Sequence, residues 1–187
     1  MGKILENPKE LILNNAKNIL YTEGYSNLNI RSVAKACDLA VGTIYNYYPS
    51  KKELVIEMMV EYWKECFIVF EAIINSTDSF YEKLFKIFNE LTTFINTFKE
   101  VWLKASSFEA SEYTERGMEK EHLYMEMLVR KIETLLVAES LKENTEVIIK
   151  VDSYNLAKFI LMNFITMIQM PIFKYSSFEE ILKQLLK

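Results

Sequence analysis

The chain has 187 residues, half of them hydrophobic, with 22 basic and 26 acidic side chains for a net charge of −4. That length can bury one sizeable core, and four Gly with three Pro are too few for a turn-rich β-protein, so long helices are expected. Two cysteines, Cys37 and Cys66, cannot build a disulfide framework; each sits in an apolar helical pattern and reads as a small buried hydrophobe in a reducing cytoplasm.

The first helix should start at Asn7, with Asn as N-cap, Pro8 at the first helical position and Glu10 placed to reach back. Leu11, Ile12, Asn15, Ala16, Ile19 and Leu20 form its inward stripe, and Gly24 is the natural left-handed stop. Tyr25 and Leu28 then plug the core. Asn29 can cap a second helix, Ile30 to Ala36, with Ile30, Val33 and Ala34 inward. Cys37, Asp38 and Leu39 make a tight break, and Val41 to Tyr48 forms a third helix that Pro49 ends.

Ser50 with Glu53 three residues on is a capping box for a fourth helix from Lys51 to about Ile74. Val55, Met59, Tyr62, Cys66, Phe70 and Ile73 hold its apolar face. After a break at 76–78, Ser79 with Glu82 opens a fifth helix carrying Leu84, Phe88, Leu91 and Ile95. A shorter helix around Glu100 to Phe108 follows, and Glu109 to Gly117 reads as a loop or one-turn helix. A long helix is expected from about Met118 to Ala138, with Met125, Leu128, Ile132 and Leu135 inward.

Asp152 can cap a helix running to about Met170 that is apolar on nearly every side. Such a helix in a soluble protein is buried all round, by its own core and by a second subunit. Lys158, Asn163, Thr166, Gln169 and Pro171 interrupt the apolar region 156–173, which argues against a membrane span. Ser176 with Glu179 opens a last short helix. The expected fold is all-α, with nine or ten helices.

No stretch near the start shows the order of charged residues, apolar run and small-residue cleavage site, so a cytoplasmic location is expected. The first 55 residues hold seven basic and five acidic side chains, leaving +2 there and −6 in the remainder. A mildly basic head on an acidic body fits one phosphate-contacting end. His122 is the only histidine, which excludes multi-histidine metal sites. No nucleophile–base, metal or phosphate-loop constellation appears, so neither an enzyme nor a cofactor is expected.

Ile30 to Glu53 has a spacing that core packing alone does not explain. Two short helices around a tight turn make a helix-turn-helix, whose second helix needs a slim, polar leading end to enter a groove about 12 Å wide. Ala40, Val41, Gly42 and Thr43 provide that end, Ile44 anchors the helix inward, and Tyr45, Asn46 and Tyr47 carry groups that reach phosphates or base edges. Tyr48 follows the phase of Ile44 and reads as core.

The run TIYNYYPSKKEL, preceded by IRSVAKA and the turn, resembles the DNA-binding head of the tetracycline-repressor (TetR) family of bacterial transcriptional regulators, over roughly residues 8 to 55. The family's recognition-helix core appears here as Thr43, Ile44, Tyr45, Tyr47 and Tyr48, with Lys51 opening the next helix. The resemblance implies a head at 1–50 and a helical ligand-binding and dimerisation body at 51–187. It implies contacts to DNA from Arg31, Thr43, Tyr45, Tyr47 and Lys51, with Val41 and Gly42 at base-reading positions. Two residues depart from the family pattern: Asp38 stands where Gly is usual, and Val41 where a polar or basic residue is frequent. Asp can take the left-handed backbone that Gly supplies, and Val41 would read bases by apolar contact.

The resemblance also implies a homodimer that binds double-stranded operator DNA and a small apolar or amphipathic effector, with no membrane partner. The expected function is a repressor released by its effector; an activator of the same family, or a helical ligand-binding module without DNA, is the alternative. Trp63, Phe67, Phe88, Trp102, Tyr124, Met125, Phe164 and Met167 are the expected pocket residues. The helices at 118–138 and 153–170 are expected to pair two copies through Leu128, Ile132, Phe164 and Ile168.

Overall fold

The structure is a computed structural model that describes residues 7–105, 111–143, 145 and 147–187, with the side chains of 99–121 outside the described set. Among the described residues every regular element is a helix: α1 (Pro8–Glu23), α2 (Ile30–Ala36), α3 (Val41–Tyr47), α4 (Lys51–Ile74), α5 (Phe80–Ala105), α6 (Ser111–Ser140), α7 (Ser153–Gln169) and α8 (Tyr175–Leu185). The all-α expectation holds.

Helices with clear caps begin where the sequence places them. Asn7 accepts from the Glu10 amide at 3.4 Å while its own side-chain amide donates to the Glu10 carboxylate at 2.8 Å. Asn29 and Ser32 cap α2 reciprocally, each side chain accepting from the other's backbone N–H, at 2.9 and 3.0 Å. Ser50 accepts from the Glu53 amide at 3.1 Å, Ser79 and Glu82 complete a capping box, and Asp152 accepts from the Asn155 amide at 2.8 Å. Apart from the side-chain bond between Asn7 and Glu10, each satisfies a backbone N–H that a helix start leaves orphaned.

Three expectations are corrected. The fifth helix does not stop near Ile95; α5 continues to Ala105, so no separate helix begins at Glu100. No Gly or Pro stands there to end it. Residues 106–110, which include the expected end at Phe108, lie outside the described residues. The stretch expected as a loop before Met118 is helical from Ser111: Glu112, Glu115 and Arg116 favour helix, and Gly117 costs only about 1 kcal/mol inside one. The count is therefore eight among the described residues. The last helix starts at Tyr175 rather than after Ser176, because the Lys174 carbonyl accepts from Ser177 and Phe178 and closes the first turn upstream.

The chain divides into two compact units, Met1–Lys64 with Asn96–Gly117, and Glu65–Ile95 with Met118–Lys187. The first unit is built on Ile12, Ala16, Leu28, Val33, Ile44, Leu54 and Met58, all fully or almost fully buried. The second is built on Phe70, Leu84, Ile87, Leu91, Leu128, Ile132, Ile160 and Phe164. Within it Glu71 pairs with Lys131, and the Ile148 amide donates to the Leu186 carbonyl. Lys83 is buried but satisfied: its ammonium donates at 2.8 Å to the carbonyl of Ile74, the last residue of α4. No helix among the described residues is long and apolar enough to cross a membrane.

Candidate nucleic-acid interface

The turn between α2 and α3 is set by one residue in an unusual conformation. Asp38 has φ 54°, the left-handed region its side chain tolerates better than most. The chain reverses there, and the Leu39 amide donates back to the Ala34 carbonyl at 3.0 Å. Cys37 turns inward, its thiol 3.8 Å from the Leu11 carbonyl. Asp38 thus does the work of the glycine it replaces.

From that turn α3 presents two faces. Ile44 is fully buried and locks the helix to the head, whereas Tyr45 is 49% and Tyr47 41% exposed. Val41, Gly42 and Asn46 are also exposed, and Thr43 is half-buried. A Cβ built on Gly42 meets nothing within 4 Å, so packing within the chain gives no reason for a residue without a side chain there. Arg31, at the start of α2, is exposed as well. Seven of the eight expected DNA-contact residues are thus accessible, and those on α3 share one short helix.

Lys51, the eighth, has a more complicated position. Its ammonium donates to the Tyr25 carbonyl at 3.0 Å and lies 3.7 Å from the centre of the Tyr25 ring. It ties the first turn of α4 to the loop before α2, a structural task that the sequence does not display. Lys9 makes a second tie, to Glu57 at 2.8 Å. Between these ties Tyr48 is 2% exposed, as expected for core. Its hydroxyl has no hydrogen-bond partner among the described residues, and burial, with the Glu57 and Glu61 charges, raises its pKa. The first turn of α4 is therefore tied to the Tyr25 loop and its second to α1.

The expected pocket residues are dispersed. Trp63 is buried in the first unit. In the second, Phe67 stacks on Tyr124 with ring centres 6.0 Å apart, and Phe88 meets Phe164 edge-on at 5.3 Å. Met125 is half-buried and Met167 buried, while the Trp102 side chain lies outside the described set. An apolar groove of about 340 Å³ is lined by Lys150, Val151, Asn155, Leu156, Phe159, Leu185 and Leu186, none of them an expected pocket residue.

The expected pairing residues differ in exposure. Leu128, Ile132 and Phe164 are completely buried within the chain and offer no surface to another copy; only Ile168 keeps partial exposure. Outward apolar residues on these helices include Leu123, Met127 and Val137 on α6 and Phe159 and Met162 on α7, with Ile181 and Leu185 outward on α8, from 38% to 59% exposed. Both cysteines are buried and free. Burial, with the Glu90 carboxylate beside it, pushes the Cys66 thiol up to about 12, so it carries no thiolate at neutral pH.

Comparison with known proteins places these features. Residues 12–58 match the family model described as bacterial regulatory proteins, tetR family. The uncharacterized HTH-type transcriptional regulator YuxN of Bacillus subtilis (strain 168) is 26% identical over 119 residues, which is 62% of this chain and 41% of that protein. The match thus spans less than half of that relative's length. A TetR/AcrR-family regulator from Thermobifida fusca YX-ER1 has a similar structure, with TM-score 0.65, 19% identity and 97% of each chain covered. FadR from Bacillus halodurans, titled a fatty acid degradation regulator, gives TM-score 0.61 at 17% identity, covering 95% of this chain and 96% of its own. FadR from Bacillus subtilis, solved in complex with stearoyl-CoA, gives 0.58 at 16% identity with the same coverage. The structures establish the fold, and residues 12–58 form a head of the kind described for bacterial regulatory proteins of the tetR family.

Proposed function

We propose that the chain acts as a homodimeric repressor that binds operator DNA through α3 and leaves it when a small apolar or amphipathic ligand enters the helical body. The observation that carries the DNA reading is the outward face of α3: Gly42 in open space beside exposed Tyr45, Asn46 and Tyr47. Hydrogen-bonding side chains beside a position with no Cβ suit a surface that must approach another backbone closely. Arg31 and Lys51 would hold phosphates, Lys51 from the place where Tyr25 fixes it.

A repressor of this kind reads two half-sites about 34–36 Å apart, which requires two copies. Phe159, Met162, Ile181 and Leu185 supply an apolar face for pairing. One helix, α4, runs without a break from Lys51 to Ile74 and belongs to both compact units. It offers a mechanical route from ligand to head, effective only if the ligand prefers one state of the dimer. Activation of transcription would use the same DNA contacts.

The test is binding to duplex DNA from the region upstream of the chain's own gene, against random duplex, as salt is raised. The protein should prefer the upstream duplex, and Tyr45→Ala should lose that preference. Lys51→Ala should lower the slope of log affinity against log salt by about 1. No preference in the wild type would end the operator reading. An unchanged slope would confine Lys51 to its tie with Tyr25.

A further inference from the structure

The second unit holds an aromatic cluster whose one polar atom has nothing to do. Tyr175, at the start of α8, lies with its ring centre 4.9 Å from both Phe85 and Phe88, 6.0 Å from Phe164 and 5.9 Å from Phe178. Its hydroxyl is closed off from solvent and has no hydrogen-bond partner among the described residues. A hydroxyl costs free energy when buried without a partner, and phenylalanine would fill the same space without that cost. The cluster nevertheless reaches the surface, because Phe85 is 45% exposed and Phe88 half-buried. Tyr48, the other orphaned hydroxyl, lacks such a route, since the whole residue is 2% exposed.

We infer that the Tyr175 hydroxyl is the polar anchor of an effector site in this cluster, and that the effector is an apolar, ring-bearing molecule with a neutral acceptor such as a ketone or ester carbonyl. The inference rests on the reading of the body as ligand-binding. The acceptor is neutral because of the charges nearby. Glu179, one turn along α8, is the charge that acts on the hydroxyl, and it is ion-paired with Lys183. A carboxylate ligand would therefore approach a negative group whose cation is already engaged, whereas a carbonyl accepts from the hydroxyl without that repulsion. The aromatic rings supply edges and faces for a flat partner, and Phe85 is the exposed member of the cluster.

The experiment titrates the full chain with a fluorescent naphthyl ketone and with the alkyl-naphthalene of the same shape that lacks the carbonyl, for wild type and Tyr175→Phe. The wild type should bind the ketone roughly five- to tenfold more tightly than its alkyl counterpart, with the red-shifted emission of a hydrogen-bonded carbonyl. Tyr175→Phe should bind both equally, without the shift, and should be no less stable than wild type when ligand-free. An unchanged preference in Tyr175→Phe would overturn the anchor while leaving the ligand-binding body intact. A clear loss of ligand-free stability would show that the hydroxyl already has a partner, a buried water included, and would overturn it too. Failure of the wild type to bind either probe would remove the ligand site itself.

Discussion

At the residue scale the head is decided by two positions, Asp38 and Gly42, that bend local rules in opposite directions. Asp38 accepts a backbone conformation that glycine would take freely, with φ 54°. Asp38→Gly should therefore raise stability in urea titrations by up to about 1 kcal/mol, the relief of strain outweighing the extra freedom gained by the unfolded chain. A loss of stability would mean that the carboxylate itself holds the turn. Gly42 is the reverse case, a glycine inside a helix where alanine would favour folding by roughly 0.5–1 kcal/mol and where nothing in the chain would obstruct it. The proposed approach of DNA to this exposed face would account for a glycine there.

At the scale of elements, helix starts with side-chain caps were legible to the residue; of those without, α3 was placed at Val41 and α8 was not placed at Tyr175. Asn7, Asn29, Ser50, Ser79 and Asp152 each mark a start because a side-chain oxygen satisfies an orphaned amide. Thr97 with Glu100 has the same spacing but opens no new helix, because α5 runs through it unbroken to Ala105. Burial was legible as a pattern but not as a direction: Phe164 belongs to the apolar run of α7 and points into the chain, whereas Phe159 and Met162 of the same run point out. The bonds between α6 and α7 were invisible in sequence, being long-range. The Tyr154 hydroxyl donates to Glu126 at 2.6 Å, and Arg130 lies 4.2 Å from the Tyr154 ring centre while bonding Glu126 and Glu133. The Tyr154 hydrogen bond, with help from Arg130, holds the Glu126 carboxyl below the usual range. A carboxyl with a depressed folded pKa stabilises fully above its unfolded pKa of about 4.3, and that contribution fades as pH falls through the lower folded value. Glu126→Gln should therefore show a shallower loss of stability than wild type as pH drops from 5 toward 3, followed by circular dichroism in urea. Parallel curves would leave Glu126 without a role in acid unfolding.

At the scale of the whole molecule, charge and apolar surface divide the work. The net −4 argues against nucleic acid only until its uneven distribution is seen, with the excess of positive charge confined to the head. The four outward apolar residues on α7 and α8 are the face assigned to pairing. Met162→Glu should convert a dimer to monomer in sedimentation experiments; a dimer that survives would place the contact elsewhere. The monomer should also bind the upstream duplex far more weakly, because each head would then contact its half-site without the other's help. The central claim, that the outward face of α3 meets DNA, is tested most directly by one substitution with two readouts. Gly42→Ala is expected to melt at or above the wild-type temperature and to bind the preferred duplex at least roughly tenfold more weakly, since a Cβ stands where the groove must come close. A variant equally stable and equally tight in binding would contradict the account.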